Sequence, residues 1–473
     1  MPSAVGVNAS GIEAFIDRVD AEVGGLHSFM MLKDGSVFAE CWWKPYQRNY
    51  QHAMYSLSKS FTSTAAGFAM HEGKLSPTDN VVKFFPRQLP ETVSSGLANM
   101  QVQHLLMMGT GHSVDTASSL FQAPAGDWVR EFLAQPVEHT PGTHFVYNSG
   151  ATYMVSAIIQ RITGQTVLDY LKPRLFIPLG IREPTWEACP KGISTGGWGL
   201  RIRTEDIASL GELYQRNGLW NGQRLLPRSY VEAATKIQIQ NGSDPNSDWA
   251  QGYGYQFWRC RHNGFRGDGA FGQYCLVFPD NQLTVAITSG VADMQRVLNI
   301  AYETVLLAVD QKGSSAADVS LSKRILSAEA PRPTSAGKPQ ALPYGKAYVF
   351  DANTIGLETL RFEKRQNGLR LIVQKQGAEQ HIDVSENSWQ ESVSHWDIGL
   401  SRLITEDKKT RTAAHGAWGN STTYFIRNYH VNEPYGQTIK IAFNATGLKW
   451  QSEYIATFSG NGLVNATAVQ TTL

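Results

Sequence analysis

A serine and a lysine stand three residues apart, at Ser56 and Lys59, within the segment 54–61 (MYSLSKSF). If this segment is helical, the two side chains lie one turn apart on the same face. A lysine that is shielded from water there loses its proton more easily and can take the proton of the serine hydroxyl. The spacing therefore predicts nucleophilic catalysis, with Ser56 as the nucleophile and Lys59 as its base.

The tetrapeptide SLSK occurs twice, at residues 56–59 and again at 320–323. The second copy lies among small polar residues and prolines, where no buried helix is expected. The first copy runs into a segment that is apolar nearly all round up to residue 70, which predicts a buried central helix. Gly73 is well placed to end that helix. The sequence context, rather than the tetrapeptide itself, therefore favours Ser56.

Such a mechanism needs a further group that passes the serine proton to the leaving group. The candidate is Tyr147, in the loop 141–150 (PGTHFVYNSG), which precedes a predicted helix over 151–163. A buried loop tyrosine without a chemical role is the alternative interpretation.

Three blocks, in this order, resemble the class C β-lactamase-like serine hydrolases: YSLSKSF at 55–61, PGTHFVYNS at 141–149 and GDGAFGQY at 267–274. That group includes β-lactamases, DD-peptidases, D-aminopeptidases, esterases and nylon-oligomer hydrolases. The resemblance covers about residues 10–309. It implies that Ser56 attacks a carbonyl group, that Lys59 is the base and that Tyr147 relays the proton. It also implies an oxyanion hole formed by the backbone amides of Ser56 and Ala270, and neither a metal nor another cofactor.

The same blocks imply five substrate-binding residues, namely Asn148, Ser149, Asp268, Gly269 and Phe271. Two departures from the family pattern bear on the substrate. Ser149 stands where the family has an asparagine. The third block is GDG, where β-lactamases and DD-peptidases have a lysine or a histidine, as KTG or HxG, that helps to hold the substrate carboxylate.

The acidic residue in the third block is expected to repel a substrate carboxylate if it points inward. Arg266, beside the block, is expected to lie on the opposite face of the strand and not to compensate for Asp268. We therefore predict a serine hydrolase that cleaves a neutral or amine-bearing ester or small amide. One alternative is a β-lactamase or DD-peptidase. Another is a catalytically idle binding or scaffold protein whose C-terminal domain carries the function.

The elements around these blocks predict one α+β domain. A helix and a β-hairpin come first, helices dominate from about 75 to 185, three strands follow between 254 and 288, and a helix extends from about 294 to 309. This order predicts an antiparallel sheet that is closed by strands from both ends and flanked by helices, with a helical subdomain inserted. The resemblance implies that this is a β-lactamase/transpeptidase-like fold.

Beyond that domain, assigned to residues 1–310, the sequence predicts a linker over 311–343 and a small β-barrel or β-sandwich over 344–473. The linker is rich in Ser, Ala, Gly and Pro. The Asn367-Gly368 pair lies between two β-prone segments and predicts a hairpin. Four roles stay open for this domain. It could cap the cleft, mediate homodimerisation, bind substrate or be a structural appendage.

The composition of the chain limits the classes of partner that it is expected to bind. The 473 residues carry a net charge of +1 and contain no long basic run, so a nucleic-acid partner has no support. The sequence contains no run of about 18 apolar residues, so no membrane span is predicted. The first residues (MPSAVGV) do not form a signal peptide, so a cytoplasmic location is expected. The expected partner is therefore a small-molecule ester or amide. The four cysteines are scattered and are predicted to be buried free thiols.

Overall fold

The computed structural model describes residues 1–336, 341–396, 409–458 and 463–471. Its α-helices are α1 Ala9–Glu22, α2 Ser58–His71, α3 Ser95–Asn99, α4 Val102–Leu106, α5 Ala117–Phe121, α6 Trp128–Ala134, α7 Ser149–Thr163, α8 Val167–Leu171, α9 Ile177–Leu179, α10 Thr204–Gln215, α11 Arg228–Thr235, α12 Met294–Ala301 and α13 Ser315–Leu326. Helices α3 to α9 come, in sequence, after the first two strands and before the last four strands of the main sheet described below. The sequence predicts a helical subdomain there.

The strands before residue 290 are β1 Leu26–Lys33, β2 Ser36–Trp42, β3 His52–Ala53, β4 Thr185–Trp186, β5 Leu200–Ile202, β6 Leu219–Trp220, β7 Gln223–Arg224, β8 Trp258–Arg259, β9 Phe265–Gly269, β10 Gln273–Phe278 and β11 Leu283–Ser289. Six of them form an antiparallel sheet in the order β2-β1-β11-β10-β9-β8. Phe29 of β1 pairs with Ile287 of β11. This pairing of the first strand with the last confirms that strands from both ends close the sheet.

Both faces of the main sheet are covered. Successive side chains of a strand point to opposite faces. Accordingly, Phe29 and Met31 pack in one apolar cluster with α1 and α12, while Met30 and Leu32 belong to a second cluster that contains α2 and α10. The strand β9, on which the third sequence block begins, lies between β10 and β8 in this sheet, and one of its faces lies against the start of α2, where a Cβ on Gly267 would meet Leu57.

Helix α2 lies at the centre of the second layer. Every residue from Ser58 to Ala69 is buried, which confirms the predicted buried helix. Its polar side chains are satisfied by neighbouring loops. The Thr62 hydroxyl donates to the Gly196 carbonyl at 2.8 Å, and the Ser60 hydroxyl donates to the Gln256 carbonyl at 2.9 Å. These contacts fix the helix that carries the candidate nucleophile and base.

The C-terminal part of the chain forms a second sheet of ten strands: β12 Ala347–Phe350, β13 Leu357–Arg365, β14 Gly368–Lys375, β15 Ala378–Ser385, β16 Gln390–Ser394, β17 Thr410–Trp418, β18 Thr423–His430, β19 Gly436–Phe443, β20 Gly447–Ile455 and β21 Val464–Thr471. Parallel pairing between β15 and β17 closes this sheet on itself. Of the two predicted forms, the structure is therefore the barrel. The hairpin predicted at Asn367-Gly368 joins β13 to β14.

The segment around the second SLSK copy forms the helix α13, but most of its side chains are exposed and only Asp318 and Leu321 are buried. The expectation that no buried helix lies there is therefore confirmed. The Ser314 side chain caps α13 by accepting from the Ala317 amide, and Leu321 is buried. The Ser320 hydroxyl donates to Glu13 of α1 at 2.9 Å. Alanine is the best helix former, so a composition of small residues does not exclude a helix that packs on a neighbour. The assigned domain boundaries stay predictions.

All four cysteines are free and buried, as predicted. Among the described residues, no helix combines the length and the apolar character that crossing a bilayer requires.

Candidate active site

Ser56 lies at the N-terminal end of α2, in the 3₁₀ turn Tyr55–Leu57 that leads into the helix. Tyr55, immediately before it, has a positive φ of 47°. Such backbone conformations are uncommon for residues other than glycine and persist where the surroundings hold them. Ser56 itself is half-buried. The turn therefore presents the serine at the surface of a helix that is otherwise enclosed.

Lys59 is 2% exposed and points back towards Ser56. Its Nζ lies 3.0 Å from Ser56 Oγ and 3.1 Å from Ser149 Oγ, and it donates to the Gly197 carbonyl at 2.9 Å. Burial lowers the pKa of Lys59 to about 8, against the opposing charges of Asp115 and Asp268. The amine is therefore placed and tuned to accept a proton from Ser56 near neutral pH.

Tyr147 joins these two side chains. Its ring stacks on Trp258 with the centroids 5.2 Å apart, and Lys59 Nζ lies 4.8 Å from the Tyr147 ring centroid. Burial and the charge of Asp268 raise the pKa of the Tyr147 phenol above its ordinary value, and a hydrogen bond with Ser56 opposes the rise. The phenol keeps its proton at neutral pH and lies within reach of the serine, as a proton relay requires.

The two residues after Tyr147 have different positions. Ser149 accepts a hydrogen bond from Lys59 through its hydroxyl, so it lies in the candidate site. Asn148 is fully buried, and its Oδ1 accepts from the Thr116 hydroxyl at 2.8 Å and from the Ala151 amide at 3.2 Å. It therefore caps α7. Its assignment to substrate binding stays a prediction, for which this geometry gives no support.

The third block lies on β9, directly against the start of α2. A side chain at Gly267 would meet Leu57 Cδ1 and Ser60 Oγ, each at 2.5 Å. A Cβ at Gly269 would come within 2.1 Å of the Met54 carbonyl oxygen. The contact with backbone therefore requires glycine at 269. At 267 a larger residue would need the side chains of Leu57 and Ser60 to move, and Gly267 itself offers no side chain where a KTG or HxG motif has its cation.

The expectation that Arg266 faces away from Asp268 is wrong. Residues two apart on a strand share a face, and Arg266 Nε donates to Asp268 Oδ2 at 2.9 Å. Both side chains are buried. Burial raises the pKa of Asp268, although Arg266 and a hydrogen bond from Trp258 oppose the shift. The Asp268 charge is therefore offset inside the protein, and the side chain supports Trp258, on which Tyr147 stacks.

We expect Asp268→Asn to lower the free energy of unfolding by about 3–5 kcal/mol, because it removes one partner of a buried ion pair with Arg266. The matched control is Asp310→Asn, whose carboxylate is 69% exposed in its ion pair with Lys33 and whose loss should cost less than about 1 kcal/mol. Urea unfolding monitored by tryptophan fluorescence measures both. Equal, small effects for the two variants would contradict the description of Arg266 and Asp268 as a buried pair.

The pKa of Lys59 predicts the pH dependence of the reaction. Because only the neutral amine can accept the serine proton, kcat/KM should fall about tenfold for each pH unit below about 8 and level off above that value. A kcat/KM profile with a neutral ester between pH 5.5 and 9.5 measures it. A flat profile across this range, or a rise in kcat/KM only near the ordinary pKa of lysine, would contradict the assignment of Lys59 as the base.

The sequence alone assigns no site role to four further residues. Asp115 Oδ1 accepts from the Ser149 amide at 2.8 Å, Gly197 supplies a carbonyl to Lys59, and Trp258 and Arg266 support Tyr147 and Asp268. Of these, only the glycine-rich stretch around Gly197 stands out in the sequence. Nowhere in the described ranges do three or more His, Cys, Asp or Glu side chains come close enough together to hold a metal ion.

Comparison with known proteins shows the family. The sequence profile of the Beta-lactamase family matches residues 16–309, and the chain belongs to that family. The 6-aminohexanoate-dimer hydrolase of Paenarthrobacter ureafaciens is 24% identical over 287 residues, 56% of this chain and 73% of that protein. An Escherichia coli (strain K12) protein named "Putative D-alanyl-D-alanine carboxypeptidase" is 26% identical over 172 residues, 34% of this chain and 39% of its own length. The chain thus covers well under two thirds of that relative.

Solved structures show the fold. The octameric penicillin-binding protein homologue from Pyrococcus abyssi superposes with a TM-score of 0.52 and 16% identity, over 97% of this chain and 99% of that chain. The hydrolase EstCE1 superposes with a TM-score of 0.51 and 16% identity, over 63% of this chain and 98% of its own. The N-terminal domain is thus β-lactamase/transpeptidase-like, and an all-β barrel domain follows it.

Proposed function

We propose that the protein is a serine hydrolase that cleaves an ester or a small amide through an acyl-enzyme on Ser56. The observation that carries the proposal is the buried Lys59 amine, 3.0 Å from Ser56 Oγ, with its pKa lowered to about 8. A buried lysine beside a half-buried serine, within reach of a tyrosine hydroxyl, supplies a base, a nucleophile and a proton relay. A purely structural role does not explain why these three features occur together.

In the proposed mechanism, Lys59 takes the Ser56 proton as Oγ attacks the carbonyl carbon. The tetrahedral oxyanion that forms accepts hydrogen bonds from the backbone amides of Ser56 and Ala270. Gly269 supports this assignment, because its close contact with Met54 sets the residue after it beside the serine turn. Each such donor contributes about 3 kcal/mol to lowering the barrier.

Collapse of the tetrahedral intermediate needs a proton on the leaving group. Tyr147 donates its phenolic proton to the leaving oxygen or nitrogen and is reprotonated by Lys59. A water molecule then attacks the acyl-enzyme, gives its proton to the Tyr147 and Lys59 pair, and releases the acid. Ser56 recovers its proton in the last step, so the cycle consumes only substrate and water.

The proposed substrate is a neutral or amine-bearing ester or small amide. Gly267 stands where β-lactamases and DD-peptidases have the cation that holds a substrate carboxylate, and it has no side chain to supply one. Because Arg266 offsets the Asp268 charge, this missing cation, and not repulsion by Asp268, carries the argument. Asp115, which is half-buried and faces Lys59, adds negative charge that suits an amine. A relative named as a 6-aminohexanoate-dimer hydrolase and a structural neighbour named as a family VIII carboxylesterase support the same class.

The test is a parallel screen of the purified full chain with p-nitrophenyl butyrate, alanine p-nitroanilide and nitrocefin. We expect turnover of the ester or the anilide, with nitrocefin at least about 100-fold slower in kcat/KM. A preference for nitrocefin would favour the β-lactamase alternative. No turnover of any substrate, together with no covalent labelling of Ser56, would favour the catalytically idle alternative.

A further inference from the structure

The C-terminal barrel touches the chain directly beside the candidate nucleophile. The turn between β18 and β19 lies against the segment that leads into Ser56. The Ala53 amide donates to the Asn432 carbonyl at 2.9 Å, and Arg201 forms an ion pair with Glu433. These contacts tie the barrel to the backbone three residues before the serine.

Four aromatic rings meet at this junction, two from each domain. Tyr55 and Phe271 come from the catalytic domain, and Tyr435 and Phe458 come from the barrel. The Phe271 and Phe458 centroids are 4.6 Å apart, and Tyr55 lies 5.8 Å from Phe271 and 5.9 Å from Phe458. The hydroxyls of Tyr55 and Tyr435 are hydrogen-bonded. We call these four residues the aromatic cluster.

Two residues of the aromatic cluster are direct sequence neighbours of residues that act in the proposed mechanism. Tyr55 immediately precedes Ser56, and Phe271 immediately follows Ala270. Both have positive φ angles, 47° and 65°, which non-glycine residues adopt only where packing holds them. The cluster therefore packs against the two backbone segments that supply the nucleophile and the proposed oxyanion hole.

One ring of the aromatic cluster is open to solvent. Phe271 is 8% exposed and Tyr435 is 3% exposed, but Phe458 is 60% exposed. The Phe458 ring lies against Phe271 and Tyr55 at interplanar angles of 55° and 57°, and it keeps an exposed apolar surface close to the backbone that leads into Ser56. Burial of that surface by a ligand is favourable in proportion to the area covered.

We propose that Phe458 is a substrate-binding residue, which the barrel contributes to the active site, and that the natural substrate carries an apolar group the size of an aromatic ring. This inference rests on the proposed serine hydrolase function. It assigns the C-terminal domain a direct part in substrate binding and names the chemistry of the group bound. The ring of Phe458 stacks on that group while the carbonyl lies at Ser56.

The test compares Phe458→Ala with wild type on methyl acetate, methyl phenylacetate and benzyl acetate in a pH-stat assay. These esters differ in whether, and on which side of the ester bond, they carry a ring. We expect kcat/KM to fall about tenfold for at least one ring-bearing ester and to change less than about twofold for methyl acetate. Phe458→Tyr should keep the wild-type preference, since it keeps the ring.

Val469→Ala is the matched control, because Val469 is 53% exposed on β21 and has no contact with the aromatic cluster among the described contacts. Thermal unfolding of Phe458→Ala should match wild type. An equal loss on all three esters, or no loss on any, would overturn the inference while Ser56 still reacts with a fluorophosphonate. If wild type cleaves no ester and Ser56 does not react, the proposed function fails, and the inference fails with it.

Discussion

Ser56→Ala is expected to lower kcat/KM by at least about 10⁴-fold, because without Oγ no acyl-enzyme can form. The fold should be unchanged, since Ser56 is half-buried and its hydroxyl meets only the side chains of the site. Ester hydrolysis with excess substrate measures the loss, and circular dichroism checks the fold.

The chain supplies a matched control for this variant. Ser320 heads the second copy of the same tetrapeptide, in α13, where its hydroxyl meets Glu13 and no tyrosine loop is near it in sequence. Ser320→Ala should leave kcat/KM within about twofold of wild type. If Ser56→Ala kept full activity, or if Ser320→Ala lost it, the assignment of the nucleophile would be wrong.

Lys59→Met is expected to lower kcat/KM by about 10³-fold or more, since it removes the only base within hydrogen-bonding distance of Ser56 Oγ among the contacts described. Methionine has a similar length and suits a buried position, so the variant should fold. The remaining activity should lose its dependence on a group with a pKa of about 8. A variant that kept both the rate and that pH limb would exclude Lys59 as the base.

The free energy of unfolding of Lys59→Met provides a second test. A lysine pKa lowered from 10.5 to about 8 means that the fold disfavours the charged amine by about 3 kcal/mol. This cost is fully present below pH 8 and disappears as the pH rises to about 10.5, because the unfolded chain then also loses its proton. The unfolding free energy of Lys59→Met relative to wild type should therefore be greater at pH 6 than at pH 10. An equal difference at both values would contradict the lowered pKa.

Much of the candidate active site follows from the sequence because its signals are local. Ser56 and Lys59 share one helical turn, and the apolar segment after them can only be a buried helix. Tyr147 is separated from them in sequence, but the loop before a well-defined helix marks it. The order of strands and helices likewise predicts the sheet, since the first strand and the last can complete one sheet only by pairing.

The parts that the sequence does not predict depend on contacts between distant segments. Asp115 and Gly197 become partners of Ser149 and Lys59 only when three loops converge. Phe458 lies 402 residues after Ser56 and meets Tyr55 and Phe271 through packing between domains, for which no local pattern exists. One error has a simpler origin, since Arg266 and Asp268 share a strand face because they are two residues apart. The surface helix α13, in the predicted linker, forms where it can pack on α1.

The central claim is that Ser56 forms the acyl-enzyme. Incubation of the purified full chain with a fluorophosphonate, followed by peptide mapping with mass spectrometry, tests it most directly. We predict one adduct per chain, on Ser56, with none on Ser320, no adduct in Ser56→Ala and slow labelling in Lys59→Met. An active protein that carries its adduct on another residue, or that turns over esters without any adduct, would contradict the proposed mechanism.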